Sequence, residues 1–331
     1  MLYAYYNNIF NIILIIILLF NNITYARAIN ESLYSTNVDI IVGLLQTEEE
    51  IYSHEFDMIQ NIYDMFNNFG AKTVLIDYTK IIDLKKIRAK SYDLAKQYEI
   101  PSRKPVLNRI KAKIEGFIKQ YKINRIFILG SCQNLHSVDF STARSSNLIT
   151  EAILEIIDDN PRIHLLSICG GLRNIMNTNG IETISVLNFI KNEEKQKFHS
   201  KSITNLQEGS MLLQQIKIVP NSHLAEIVIK FLPPDQNGWF LTYLPYTHSV
   251  VVSNTLENRK KLGLFGYRVA AFSSDGIIEI IEDKYGNIYF QSHPEILILK
   301  SGENSCQWYN KARQISTLVV ISIMNDFLYR T

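Results

Sequence analysis

The chain has 331 residues, of which 47% are hydrophobic and 20% are charged, and its formal net charge is +2. This composition is typical of a globular protein with ample material for a core. The low net charge and the lack of a dense Lys/Arg stripe argue against a nucleic-acid partner. Three cysteines, Cys132, Cys169 and Cys306, are too few for a disulfide scaffold.

The first 28 residues differ from the rest of the chain. Residues 9–20 (IFNIILIIILLF) are almost all apolar, and an Ala-x-Ala sequence ends at Ala28. Such a layout is typical of a secretory signal peptide, and the run is short for a membrane span, which needs about 20 residues. No Lys or Arg precedes residue 9, so a retained anchor and a cytosolic protein with a later start both remain open. We expect an exported or membrane-anchored protein, with membrane contact only through residues 1–28 and a single domain over residues 29–331.

Strand and helix patterns alternate in the next part of the chain. Strands are predicted at residues 38–45, 72–77, 125–129 and 163–168, and helices at residues 56–69, 87–98, 105–121, 146–158 and 170–177. Strands that alternate with helices predict an α/β fold with a mostly parallel sheet and a site at the carboxyl ends of its strands.

The second half of the chain is less regular. Residues 180–217 are polar, and within them residues 192–200 are typical of a solvated charge run. The elements predicted after them are a capped helix at 222–228, a loop at 233–238, helices at 253–261 and 310–325, and a strand at 288–290. Asp275 and Gly276 predict a hairpin turn between two apolar strands. The sequence contains no repeat, metal-spaced Cys/His cluster or Walker-type loop, and we expect no metal or cofactor.

Cys169 lies at a predicted strand-to-helix turn, among small residues. A nucleophile at such a turn is held in a strained conformation, with its side chain exposed at the carboxyl end of the sheet. The amide of Gly170, at the positive end of the helix, can lower the thiol pKa and donate to an oxyanion. A buried structural cysteine is the alternative on this motif alone.

A second motif far downstream favours the nucleophile. His293 follows a predicted strand, and Glu295 comes two residues later, so the pair can supply a base and the group that orients it. The loop after residue 129 ends at the same edge of the predicted sheet, and Gly130 or Ser131 can give a second oxyanion amide there. Cys132 in that loop is either a disulfide partner of Cys169 or a buried small residue.

Three segments together carry a family resemblance: residues 167–171 (SICGG), 269–279 (VAAFSSDGIIE) and 291–295 (QSHPE). They resemble the class I glutamine amidotransferases, and more narrowly the gamma-glutamyl hydrolase branch that includes gamma-glutamyl-gamma-aminobutyrate hydrolase. The resemblance covers roughly residues 38–300. It implies a flavodoxin-like three-layer α/β sandwich and a Cys-His-Glu triad that cleaves a gamma-glutamyl amide through a thioester.

By residue match, the resemblance implies that Cys169 is the nucleophile, His293 the general base and acid, and Glu295 the group that orients the imidazole. It places Gly130, Ser131 and Gly170 at the oxyanion and His248 at a looser substrate-binding position.

This chain departs from the family at two positions, because it has Ser167 where glycine is usual and Gly170 where arginine is frequent. The lost arginine removes a possible carboxylate contact that Arg173 can replace. A small gamma-glutamyl compound is the expected substrate. A glutaminase subunit of a synthase and a non-catalytic binding protein on the same fold remain alternatives.

Overall fold

The structure is a computed structural model, and it describes residues 39–46, 53–98, 103–130, 145–193, 196, 199, 213–246, 248–299 and 311–331. The proposed signal segment, Ser131, Cys132 and Cys306 lie outside these residues. Within the described ranges, no helix is long and apolar enough to cross a membrane.

Eleven strands are present in the described residues. They are β1 (Ile41–Leu45), β2 (Lys72–Ile76), β3 (Arg125–Ile128), β4 (His164–Ile168), β5 (Thr183–Ser185), β6 (Leu213–Ile218), β7 (Phe240–Pro245), β8 (Val250–Val252), β9 (Tyr267–Ser273), β10 (Ile278–Asp283) and β11 (Ile288–Phe290).

The same residues contain ten α-helices. They are α1 (Ser53–Asn68), α2 (Tyr78–Ile81), α3 (Leu84–Tyr98), α4 (Arg103–Tyr121), α5 (Ser145–Asp159), α6 (Gly170–Thr178), α7 (Val186–Phe189), α8 (His223–Val228), α9 (Leu256–Leu264) and α10 (Lys311–Tyr329). A short 3-10 helix (Pro294–Leu297) follows β11.

Nine of the described strands form one sheet in the order β2-β1-β3-β4-β11-β10-β9-β6-β7. The pairs from β2 to β11 are parallel, and the pairs from β11 to β7 are antiparallel. Only β10 and β6 therefore run against the other strands, so the sheet is mostly parallel, as predicted. The strands β5 and β8 pair separately.

Helices cover both faces of this sheet, because side chains alternate between the faces along each strand. On β3, Phe127 packs into one apolar cluster with α1, α8 and α10, whereas Ile126 and Ile128 pack into the other with α4, α5 and α6. The predicted three-layer α/β sandwich is confirmed.

The second half of the chain contains strands that the sequence pattern did not predict. β5 and all but the last residue of β6 lie within residues 180–217, which were expected to be irregular, and β7 and β8 were not predicted at all. Half of the residues of β6 (LQQIKI) are only partly buried, because one face of the strand lies near solvent. The strand therefore contains polar residues, and its sequence lacks the apolar pattern that would have predicted it. The helix expected at 253–261 begins instead at Leu256, because Thr255 caps it by accepting a hydrogen bond from the Asn258 amide.

Candidate active site

Cys169 lies at the turn from β4 into α6, in a backbone conformation that is unusual for a residue with a side chain. Its φ is 47° and its ψ is −101°, and such strain costs on the order of 1–3 kcal/mol. A hydrogen bond from the Cys169 amide to the Phe290 carbonyl, at 2.6 Å, fixes this turn to the end of β11. Close packing of α6 requires Gly171, where a Cβ would lie 2.9 Å from both the side chain and the carbonyl of Ile128.

His293 and Glu295 reach the same place from the end of β11. That strand pairs in parallel with β4, with Phe290 opposite Ile168, so the residues that follow both strands are neighbours. His293 Nδ1 lies 2.8 Å from Glu295 Oε1, and the carboxylate accepts this hydrogen bond. The His293 amide donates a hydrogen bond to the Pro245 carbonyl at 2.8 Å, which fixes the backbone three residues after β11 ends.

The charges in this group favour an ionised thiol. Burial opposes ionisation of Cys169, but the charge of His293 and a hydrogen bond from its ring outweigh burial and lower the thiol pKa. Burial also opposes protonation of His293, but the charges of Glu295 and Cys169 raise its pKa well above the ordinary value. Both shifts favour a thiolate–imidazolium pair over a neutral thiol and imidazole. Cys169 is a free thiol in this structure, not half of a disulfide.

Two glycines adjoin the pair. A Cβ on Gly130 would lie 3.2 Å from Cys169 Cβ and 3.3 Å from His293 Cε1, so the loop after β3 lies against both side chains. Gly170 is the first residue of α6, where a backbone amide has no acceptor within its own helix. The structure therefore brings Cys169, His293, Glu295, Gly130 and Gly170 together, while Ser131 falls outside the described residues.

His248 is buried near this group but bonds to none of its members. Its Nε2 lies 3.1 Å from His199 Nδ1 and 3.9 Å from Glu279 Oε1. Burial and the nearby charges of His199, His293 and Arg173 lower the His248 pKa well below its ordinary value, so the ring is neutral.

His199 corrects the interpretation of residues 192–200 as a solvated charge run. It is only 2% exposed, and its Nε2 lies 3.0 Å from Asp275 Oδ2. A histidine in a polar segment can be buried when an acidic side chain and a second imidazole both form hydrogen bonds with its ring. Neither partner is near in sequence, so no local pattern indicated this contact.

Sequence reasoning also missed a set of buried polar groups beside Cys169 and His293. Glu279, Gln291 and Ser292 are fully buried, and none of their side-chain oxygen or nitrogen atoms has a hydrogen-bond partner. The one available signal was a single glutamate within the otherwise apolar residues 277–281. Within the described ranges, no three His, Cys, Asp or Glu side chains are grouped to hold a metal ion.

Comparison with known proteins shows likeness in fold only. No family model matches this chain, and no curated protein matches it. A glutamine amidotransferase from Thermotoga maritima aligns with a TM-score of 0.46 and 10% identity, covering 88% of this chain and 99% of the other. A glutamine amidotransferase from Methylobacillus flagellatus aligns with a TM-score of 0.42 and 10% identity, covering 88% and 92%. At such identities, the chemistry of this chain has to be inferred from its own residues.

Proposed function

We propose that this protein is a cysteine-dependent hydrolase that cleaves a gamma-glutamyl amide bond through a thioester on Cys169. The observation that carries the proposal is the contact between a cysteine in a strained backbone conformation, whose thiol pKa is lowered, and an imidazole that a buried carboxylate orients. A cysteine with only a structural role needs neither the positive φ nor the charged partner. The gamma-glutamyl part of the proposal depends on the resemblance of the three motif segments.

In the first half of the reaction, the Cys169 thiolate attacks the gamma-carbonyl carbon and forms a C–S bond. The carbonyl oxygen becomes an oxyanion, which the Gly170 amide and an amide of the loop at Gly130 are placed to stabilise. As the C–N bond breaks, the protonated His293 gives its proton to the leaving amine, so the amine departs neutral.

In the second half, neutral His293 takes a proton from water as the water oxygen attacks the thioester carbon. The C–S bond then breaks, the thiolate returns beside protonated His293, and the gamma-carboxylic acid leaves and loses its remaining proton to solvent. Glu295 holds Nδ1 throughout, which keeps the other ring nitrogen turned towards the reacting atoms and stabilises the imidazolium.

The proposal is tested by the Cys169→Ala variant and by intact mass spectrometry of wild type mixed with a gamma-glutamyl amide. We expect turnover to disappear in the variant and a transient acyl adduct to form on Cys169 in wild type. Cys132→Ser and Cys306→Ser are the matched controls, and both should keep the adduct. Undiminished turnover in Cys169→Ala would contradict the assignment of Cys169 as the nucleophile.

The same experiment separates the alternatives. A glutaminase subunit would form the adduct from glutamine only when a synthase partner is present, whereas a binding protein would form no adduct with any gamma-glutamyl amide. We also propose export, which the apolar run and the Ala-x-Ala site support. The intact mass of the mature protein tests this directly, since a cleaved chain lacks residues 1–28.

A further inference from the structure

Glu279 lies at the edge of the sheet that carries the catalytic pair, although the mechanism above does not use it. Strand β10 is antiparallel to β11, so its first residues lie where β4 and β11 end. The Gln291 amide donates to the Glu279 carbonyl at 2.7 Å, two residues before His293. The carboxyl group is close enough to Cys169 and His293 for their charges to affect its pKa.

The Glu279 carboxyl is completely buried, and neither of its oxygens has a hydrogen-bond partner. Burial of a polar group without a compensating hydrogen bond is unfavourable, because the group loses its bonds to water and gains none in the protein. Glu279 is not alone in this state, because the side chains of Gln291 and Ser292 and the Nδ1 atom of His248 are also buried without partners. A cluster of unpaired polar groups beside a nucleophile is typical of a site that is completed by its ligand.

We propose that Glu279 recognises the alpha-ammonium group of the gamma-glutamyl substrate and thereby restricts the protein to substrates with a free alpha-amine. This inference rests on the proposed function. In such a substrate, two methylene groups separate the reacting carbonyl from the carbon that bears the ammonium. The ammonium is the only cation on the acyl part. Glu279 is a buried acid beside the nucleophile, and its carboxyl oxygens have no hydrogen-bond partner.

Recognition of the ammonium by Glu279 is coupled to the release of a proton, because the surroundings of the carboxyl group raise its pKa. Burial, and then the negative charges of Asp275 and Cys169, raise the Glu279 pKa to about 8, while His293 acts in the opposite direction. Two further titratable groups lie near the carboxyl. The lowered pKa of His248 keeps its ring neutral, and burial together with the charges of Asp275 and Glu279 raises the pKa of Tyr246, which keeps its hydroxyl protonated. The empty site therefore holds Glu279 protonated near neutral pH, and an arriving ammonium favours the carboxylate. Binding should release this proton to the buffer.

The experiment compares one gamma-glutamyl amide with its N-acetyl derivative, which carries the same leaving amine, in wild type and Glu279→Gln. We expect wild type to prefer the free amine, and the variant to lose roughly 10- to 100-fold of that preference in kcat/KM, mainly through KM. Glu282→Gln, which alters another buried glutamate of β10, is the matched control and should keep the wild-type preference.

A second measurement does not depend on turnover. Calorimetric titration of Cys169→Ala with the free-amine amide, in two buffers of different ionisation enthalpy near neutral pH, counts the protons released on binding. We expect release in Cys169→Ala and none in the Cys169→Ala, Glu279→Gln double variant.

Two results would overturn the assignment. An unchanged preference in Glu279→Gln, or equal losses of kcat on both substrates, would leave Glu279 with a structural role while the hydrolase activity stands. If wild type neither turns over nor is acylated by either amide, the proposed function fails, and the assignment of Glu279 fails with it.

Discussion

Strand β10 carries two glutamates, Glu279 and Glu282. Both are fully buried, but they lie towards opposite ends of the strand. Glu282 accepts hydrogen bonds from the His223 amide at 3.0 Å and the Leu224 amide at 3.2 Å, and it pairs with Arg268. Glu279 has no hydrogen-bond partner. Glu282 thus stabilises the fold at one end of the strand, whereas Glu279, three positions earlier, remains available for a ligand at the other end.

The contrast extends along both edges. At the edge where β3 begins, Arg125 donates from Nε to the Leu328 carbonyl at 2.9 Å and from Nη2 to the Arg330 carbonyl at 2.8 Å, which fixes the end of α10. At the opposite edge, a strained cysteine, a buried ion pair and unpaired carboxyl, amide and hydroxyl groups lie together. A buried polar group that is paired adds to stability, whereas one left unpaired lowers it, so the second kind persists where a ligand completes the bonding.

The largest expected effect is at His293. In His293→Ala, the Cys169 thiol loses the main charge and hydrogen bond that oppose burial, and only the smaller influence of Arg173 remains. The thiol pKa should therefore rise and turnover should fall by roughly 10⁴-fold or more. The measurement is the rate of Cys169 alkylation against pH, followed by peptide mapping. His223→Ala, at the opposite edge, is the matched control, and an unchanged alkylation profile in His293→Ala would contradict the ion pair.

The second prediction concerns stability and pH. The pKa of Glu279 is raised from 4.5 to about 8 on folding, so between these values the folded state holds a proton that the unfolded state has released. The free energy of unfolding should therefore fall as pH rises through this window, by at most about 1.4 kcal/mol per pH unit. Denaturant titrations of wild type and Glu279→Gln should diverge with rising pH, with the variant the more stable above the window. Parallel curves would show that Glu279 is already ionised or solvated.

The third prediction tests the paired glutamate. In Glu282→Gln, the new amide NH₂ faces a backbone N–H that previously had an acceptor, and the charge opposite Arg268 is lost. Leaving one buried donor unpaired should lower the free energy of unfolding by about 1–3 kcal/mol. Chemical denaturation measures this loss, and kcat/KM of the folded variant should match wild type. A large loss of activity at unchanged stability would remove the contrast between the two edges.

The smallest expected effect is at Gly130. In Gly130→Ala, the added Cβ would press on both Cys169 and His293 and displace them by a few tenths of an ångström. Such a displacement should reduce kcat by roughly 10- to 100-fold with little change in thermal stability. Gly116→Ala is the matched control, because nothing lies near its added Cβ on α4, and it should be slightly stabilising and fully active.

The sequence by itself determined the parallel half of the fold and the positions of the candidate catalytic residues. Apolar runs that alternate with helical patterns indicated β1 to β4, and the ends of two strands located Cys169 and His293. These signals are local, since periodicity and turn residues are read within a few positions of each other.

The hairpin formed by β9 and β10 and the strand β11 were also predicted from the sequence. Only the tertiary structure decided that β6 and β7 extend the antiparallel half of the sheet, and which of its polar groups are paired. β6 is a polar strand that is stabilised by pairing with β7 and β9, and His199 is buried because Asp275 and His248 converge on it. The difference between Glu279 and Glu282 likewise depends on which distant groups surround each carboxyl. Pairing of this kind joins residues far apart in the chain, so only the folded arrangement reveals which buried acid lacks a hydrogen-bond partner.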